Sequence, residues 1–170
     1  LICASNENKV LFDFFQTGTY DRNREFVLTS SPSMDILISS NLERLIYLSA
    51  QEDDQKTKKL MEELKNGGVY EITEDMKDRL KDFVAGYATE EECAENIKEV
   101  YDKTGYVMDT HTAVASYVCK KYQENTQDAK KCVIASTASP YKFVKSVMTA
   151  IDEKYADVDH DAFENMDDTA

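Results

Sequence analysis

The chain has 170 residues and a formal net charge of −13, with 20 lysines and arginines against 33 aspartates and glutamates. So acidic a chain repels nucleic acid and anionic membranes, and a phosphate-bearing ligand would need a local positive site. No run approaches the roughly 20 apolar residues of a membrane span, and no signal peptide is legible. Four widely spaced cysteines without a CxxC pair argue against a metal or redox site, so we expect a soluble, cytoplasmic protein of one domain.

The first predicted elements alternate strand and helix. LICAS reads as a buried strand, and Asn6 is predicted to cap the helix ENKVLFDFFQTG, which Gly18 ends. REFVLTSS predicts a second strand, followed by a helix over MDILISSNLERLIYLSA. Because a natural domain seldom begins inside a strand, we expect the chain to be part of a longer protein.

A helical excursion is predicted over about 53–105. DDQKTKKLMEELKNGG keeps its apolar residues on one side, and a short strand VYEIT follows it. A helix is then predicted over EDMKDRLKDFVAGYA, and Thr89 with Glu92 forms a capping box for EEECAENIKEVYDKTG. These helices carry most of the negative charge.

Strand and helix alternate again after Gly105. YVMD is a predicted short strand, TAVASYVCKKYQEN a helix, KKCVIAS the most convincing buried strand and YKFVKSVMTAIDEKY an amphipathic helix. Residues 156–170 form an acidic tail that we expect to be frayed or bound to a partner. The pattern predicts an α/β fold with three αβα layers and a partial, mostly parallel sheet interrupted by the helical excursion.

Polar clusters follow three of the predicted strands. In open α/β sheets, ligands bind beyond the carboxyl ends of the strands, near free backbone N–H groups. Asn6 suits a plain helix cap better than a ligand contact, and His111 could equally be structural or functional. One hydroxyl would be enough to cap the last helix, but the sequence supplies three beside Pro140: Ser136, Thr137 and Ser139. The surplus hydroxyls indicate a bound polar ligand. The residues alone thus predict a ligand-binding α/β domain without specifying a reaction.

Five ordered segments carry a family resemblance: LICASNENKVLFDFFQTGTYD, SPSMDILISSNLERL, FVAGYATEEE, TGYVMDTHTAVA and STASPYKF. With these the chain resembles the C-terminal part of bacterial threonine synthases, pyridoxal-phosphate enzymes of fold type II, the tryptophan synthase β type. The resemblance covers nearly all of the chain. It implies that residues 1–155 are a portion of the catalytic domain and that the intact enzyme converts O-phosphohomoserine and water to L-threonine and phosphate.

The resemblance also implies roles for single residues. In the family pattern TAxPxKF, the threonine that contacts the pyridine nitrogen of the cofactor corresponds to Thr137. Other positions are placed near the substrate or the domain interface: Asn6, Asn8, Ser33, Asp35, His111 and Lys142. The Schiff-base lysine and the glycine-rich loop that holds the cofactor phosphate are expected in a preceding portion of the protein. This chain therefore has no catalytic lysine of its own, and we expect it to be inactive alone.

Two other functions remain open on the residues. Another fold type II lyase, such as a serine or threonine dehydratase, would share the strand-end hydroxyl but not the combination of SPSMDI and THTAVA. A non-catalytic acidic helical interaction module is consistent with the segment 53–105. The module predicts no effect of Thr137→Ala on any activity, whereas an enzyme predicts impaired turnover.

Overall fold

The computed structural model describes residues 1–158, and the chain divides into two units. The first unit contains Leu1–Leu28 and Ser33–Tyr87, and the second contains Thr29–Pro32 and the chain from Ala88 onward. Among the described residues, none of the helices is long and apolar enough to span a membrane. The predicted acidic tail lies outside the described residues from position 159 on.

The first unit holds four short strands and four helices. Strands β1 (Ile2–Ser5) and β4 (Val84–Tyr87) pair in parallel, and β2 (Thr19–Asp21) pairs antiparallel with β3 (Val69–Glu71). The helices are α1 (Val10–Thr17), α2 (Leu42–Ser49), α3 (Asp54–Gly67) and α4 (Glu74–Arg79).

An aromatic cluster lies at the centre of the first unit. Phe14 of α1 lies edge-on to Phe15 and Tyr70, and Tyr20 stacks on Tyr70, which is its direct partner across β2 and β3. Val10, Ile46 and Met76 are fully buried in the same core. Burial of these side chains supplies the main stabilisation of the unit, because a buried aromatic residue removes far more apolar surface from water than a small side chain.

Polar side chains from the segment after β2 close the C-terminal end of α3. Arg22 Nη2 donates to the carbonyl of Lys65 at 2.9 Å, and Asn23 Nδ2 donates to the carbonyl of Gly67 at 2.9 Å. The last carbonyls of a helix have no partner within the helix, so these donors satisfy groups that would otherwise need water. Gly68 then ends the helix in the left-handed conformation, at φ 79°.

The second unit is helical in its described part. It contains α5 (Glu90–Thr104), α6 (Thr110–Thr126) and α7 (Val144–Ile151), with 3-10 turns at Pro140–Phe143 and Glu153–Tyr155. Ile97, Met108, Ala113 and Val147 form its core. The predicted capping box at α5 is present: Thr89 accepts from the amide of Glu92, and the Glu92 carboxylate accepts from the amide of Thr89.

The Glu92 carboxylate also links α5 to α6, because its other oxygen accepts a hydrogen bond from the hydroxyl of Tyr117. Burial alone would raise the pKa of the Glu92 carboxyl, but the hydrogen bonds from Tyr117 and Thr89 outweigh it and lower that pKa. For Tyr117, burial and the neighbouring carboxylate raise the pKa of the hydroxyl, so it stays a donor at neutral pH.

Three predicted strands do not form. Residues 24–31, 106–109 and 130–136 are irregular, and Val133 is 98% exposed. A strand needs a paired edge to satisfy its backbone groups, and in the described part of the chain these segments find none. The sheet predicted from sequence is therefore reduced to the two short pairs of the first unit.

The last predicted helix, over YKFVKSVMTAIDEKY, is α-helical only at Val144–Ile151 and has a 3-10 turn on either side. In the first unit, two predicted helices have much shorter bounds because tertiary contacts override local preference. The helix predicted from Met34 begins only at Leu42, since the Tyr20 hydroxyl accepts from the amide of Ser39 at 2.8 Å and donates to the carbonyl of Leu37 at 3.1 Å. The helix predicted from residue 74 ends at Arg79, because Val84–Tyr87 pairs with β1 instead.

Candidate functional site

Two buried asparagines follow β1 and converge on the carboxylate of Asp35. Asn6 is 1% exposed and Asn8 is 3% exposed. Nδ2 of Asn6 donates to Asp35 Oδ1 at 2.7 Å, and Nδ2 of Asn8 donates to the same oxygen at 3.0 Å. The structure thus brings together three of the residues that the sequence placed near a substrate.

Asn6 is not the cap of α1, which corrects the sequence prediction. The helix begins at Val10 with Lys9 in the cap position and no side-chain cap. The Asn6 carbonyl oxygen instead accepts from the amide of Asn8 at 3.0 Å, which closes a tight turn after β1. The polar residues at this strand end therefore order one another.

The Asn8 side chain also forms a two-point pair with the backbone of Val27. Its Nδ2 donates to the carbonyl of Val27 at 2.7 Å, and its Oδ1 accepts from the amide of Val27 at 2.9 Å. Both amide protons of Asn8 are thereby used, one on Val27 and one on Asp35. Ser33 is exposed in the 3-10 turn Pro32–Met34, two residues before Asp35.

In the second unit, Asp109 forms the cap of α6. Its side chain is 1% exposed, and Oδ1 accepts from the amides of His111 at 2.9 Å and Thr112 at 3.2 Å. A carboxylate at this position satisfies free N–H groups and interacts favourably with the positive end of the helix dipole. Asp109 thereby fixes the backbone on which His111 sits.

His111 is largely buried beside Asp109 and Phe143. Its Nδ1 lies 3.3 Å from Asp109 Oδ1 and 3.4 Å from the hydroxyl of Thr110, and its ring centroid lies 4.8 Å from that of Phe143. Phe143 belongs to the turn that follows the predicted Ser/Thr cluster. The ring contact joins the start of α6 to that turn, so the structure gives His111 a structural role in addition to any contact with a ligand.

Thr112 connects Asp109 to the Ser/Thr cluster. Its hydroxyl donates to Asp109 Oδ2, and its Oγ1 lies 2.9 Å from Oγ of Ser136. Since the Thr112 hydroxyl has one proton and the carboxylate accepts it, the Ser136 hydroxyl is the donor to Thr112. Three polar side chains thus form a continuous chain that ends one residue before Thr137.

Thr137 itself is exposed, and its hydroxyl has no hydrogen-bond partner within residues 1–158. Ser139 caps the 3-10 turn Pro140–Phe143 by accepting from the amide of Tyr141 at 3.4 Å. Lys142 is exposed in the same turn. Of the cluster predicted from sequence, Ser136 and Ser139 are used internally, while the hydroxyl of Thr137 is available to a ligand.

The Cys119 thiol of α6 is not an activated nucleophile. Burial and a hydrogen bond with Cys132 raise the pKa of the Cys119 thiol to about 11, so it is protonated at neutral pH. Cys132 is exposed. Thiol chemistry is therefore not what these residues indicate.

Two functional features escaped the sequence prediction. Asp109 in DTHT caps α6 by accepting from the amides of His111 and Thr112, but the sequence prediction did not single it out as a cap. The pairing of Asn8 with Val27 has no local signal, because the two residues are far apart in sequence and meet only in the fold.

Comparisons with known proteins agree on one family. A family model described as "Threonine synthase, C-terminal" matches residues 112–169. The human protein "Threonine synthase-like 1" is 43% identical over 152 residues, which are 88% of this chain and 20% of that protein.

Two solved structures are similar in fold. PLP-bound threonine synthase from Brucella melitensis has a TM-score of 0.80 and 35% identity, covering 88% of this chain and 32% of that chain. Yeast threonine synthase has a TM-score of 0.84 and 31% identity, covering 98% and 37%. This chain therefore spans about a fifth to somewhat over a third of these proteins.

The helix-rich arrangement with its small parallel sheet is that of a portion of a fold type II enzyme, which confirms the predicted fold class. Within that class the chain is similar to threonine synthases and threonine synthase-like proteins, and the resemblance seen in the sequence is confirmed.

Proposed function

We propose that the chain is a portion of a threonine synthase that uses pyridoxal phosphate to convert O-phosphohomoserine and water to L-threonine and phosphate. The observation that carries the proposal is Thr137, which stands at the family's cofactor-contact position with a hydroxyl that has no partner within residues 1–158. The solved relative from Brucella melitensis is described as PLP-bound. The location is taken to be the cytoplasm.

The chemistry of Thr137 fits the cofactor. A pyridine nitrogen is a hydrogen-bond acceptor when unprotonated, and a neutral hydroxyl can donate to it without forcing a proton onto the ring. When bound, the cofactor supplies an electron sink for carbanion chemistry. Thr137 would orient the cofactor ring through its nitrogen. A neutral hydroxyl, unlike a carboxylate, would not stabilise the protonated ring, so the cofactor would be a weaker electron sink.

The other predicted residues divide by their contacts. Asn6, Asn8 and Asp35 hold one another and Val27, so we assign them to ordering the strand end. Ser33 and Lys142 are exposed and accessible to a phosphate-bearing substrate, and the lysine would contribute positive charge in an acidic chain. His111 would hold the turn after the cofactor contact through its tilted ring contact with Phe143.

The remaining machinery belongs to the rest of the protein. The covered shares of the solved relatives, 32% and 37%, leave room for the Schiff-base lysine and the phosphate loop outside this chain. Residues 1–155 would then be a portion of the catalytic domain. Its partners are the preceding portion of the same protein and O-phosphohomoserine.

Thr137→Ala in the protein that contains this chain is expected to lower turnover of O-phosphohomoserine about tenfold or more, as loss of one cofactor hydrogen bond would. Its thermal unfolding should change little, because Thr137 is exposed. The assay follows phosphate together with threonine. Thr126→Ala, at an exposed threonine of α6, is the matched control and should keep full activity.

Two outcomes contradict this assignment. Unchanged turnover in Thr137→Ala would show that Thr137 does not contact the cofactor, and it would favour the non-catalytic interaction module. Release of a 2-oxo acid and ammonia in place of threonine would identify the dehydratase-type lyase.

The isolated chain is expected to show no catalysis and no stable covalent capture of the cofactor. Because the Schiff-base lysine is assigned to another portion of the protein, mixing the chain with pyridoxal phosphate and reducing with borohydride should label no particular lysine. Peptide mass mapping reads the result. A single lysine labelled stoichiometrically would show that this chain carries its own cofactor lysine, contrary to the proposal.

A further inference from the structure

The segment that carries Thr137 has few attachments of its own. Residues 131–138 form no backbone hydrogen bond with the described part of the chain, and Val133 is almost fully exposed. At its start, Gln123 Nε2 donates to the carbonyl of Lys130 at 2.8 Å. At its end, Ser139 begins the 3-10 turn. Within residues 1–158, side-chain contacts are therefore what is left to hold the backbone next to Thr137.

The hydroxyl of Thr112 is in a position to do so. It is buried, 7% exposed, in the first turn of α6, and it lies 2.9 Å from Ser136, the residue directly before Thr137. Its own orientation is fixed by the Asp109 carboxylate, which is held by two backbone amides. A hydroxyl that donates to a carboxylate becomes a better acceptor, so the bond from Ser136 is strengthened by the one behind it.

We propose that Thr112 is a positioning residue that fixes the place of Thr137 through the hydroxyl of Ser136. The inference rests on the proposed function, because it assigns Thr112 to the same cofactor contact. Thr112 does not itself touch the cofactor. A side chain held by a buried network loses less freedom on binding a ligand, and this preorganisation appears as affinity.

The test measures binding of pyridoxal phosphate to the cofactor-free protein that contains this chain, by absorbance and fluorescence titration. Thr112→Val removes the hydroxyl but keeps the branched shape. It breaks the hydrogen bonds to Asp109 and Ser136, and the loss of the Ser136 bond is expected to weaken cofactor binding about fivefold. Ser136→Ala should weaken it equally. Thr112→Ser restores the hydroxyl and should bind as the unmodified protein does.

Thr149→Val is the matched control. The Thr149 hydroxyl is buried in the same unit and has no hydrogen-bond partner within residues 1–158, so its removal should leave cofactor affinity unchanged. A general loss of packing would lower affinity in Thr149→Val as well. That variant therefore separates the hydroxyl network from a nonspecific effect of the Thr→Val change.

A double variant tells the two proposals apart. If Thr112 acts only through Thr137, Thr112→Val should weaken binding no further once Thr137→Ala is present. If Thr137→Ala weakens cofactor binding and Thr112→Val does not, the positioning role alone is overturned. The same holds if the two losses of affinity add up in the double variant. No effect of Thr137→Ala overturns both proposals. If Thr112→Val fails to fold, Ser136→Ala decides, and unchanged affinity there rejects the role.

Discussion

Asn8→Asp is expected to lower the free energy of unfolding of the chain by about 3 kcal/mol at pH 7, although it changes one NH₂ group to an oxygen. The new oxygen would face the carbonyl of Val27 and Oδ1 of Asp35, at places where Nδ2 now donates at 2.7 and 3.0 Å. Two buried hydrogen bonds are lost, and two carboxylates are brought together in a site from which water is largely excluded.

The cost should depend on pH. Two adjacent carboxylates raise the pKa of one of them in the folded state above the unfolded value of about 3.9. An acid whose folded pKa is raised destabilises the fold above that pKa, and the charge penalty disappears as the pH falls below the unfolded value. The difference between variant and unmodified chain should therefore shrink to about 1 kcal/mol at pH 3.5, where the protonated carboxyl can donate one of the two lost hydrogen bonds and the other is still missing.

Urea unfolding followed by tyrosine fluorescence at the two pH values measures both effects. Asn41→Asp is the control, because Asn41 is exposed at the cap position of α2 and its side chain makes no cap hydrogen bond. The control should stay within about 0.5 kcal/mol at both pH values. Equal stability of the two variants would mean that Asn8 does not form the network described above.

Phe14→Ala is expected to cost about 4 kcal/mol of unfolding free energy, in the range found for aromatic truncations in cores. Phe14 is 1% exposed, and its ring centroid lies 5.4 Å from Phe15, 5.9 Å from Tyr20 and 6.0 Å from Tyr70. The variant loses both the buried area and three edge or tilted ring contacts, and the surrounding rings cannot collapse fully into the space.

The same unfolding experiment on Phe26→Ala gives the comparison. Phe26 is 47% exposed in the irregular segment after β2, so its truncation should cost less than about 1 kcal/mol. Similar losses at the two positions would show that the aromatic cluster is not the centre of the first unit. A large loss at Phe14 alone supports the core assignment.

The sequence predicted best those elements whose signals are local. Helices α3 and α5 carry their own caps and end at glycines in the left-handed conformation, so they formed within a residue or two of the predicted bounds. The start of α2 was predicted too early because the Tyr20 hydroxyl forms hydrogen bonds with the backbone of residues 37 and 39, which are therefore not helical. Such a contact between distant residues leaves no periodic trace in the sequence.

The candidate site shows the same division. Polar residues at strand ends pointed to Asn6, Asn8 and Thr137, and the structure explains the first two as mutual partners. The bonds that give these residues their roles join positions 19 and 24 apart, Asn8 to Val27 and Thr112 to Ser136. Composition and spacing can place polar groups at a sheet edge, but they cannot say which of them are already paired.

The closure of α3 by Arg22 and Asn23 has a consequence for how the protein is made. The donors precede their acceptors by 43 and 44 positions, so they leave the ribosome first. When the end of α3 emerges, its terminal carbonyls can meet donors that have already been synthesised, and the helix boundary can be set during translation. A circular permutation that moved residues 1–24 behind α3 would reverse that order.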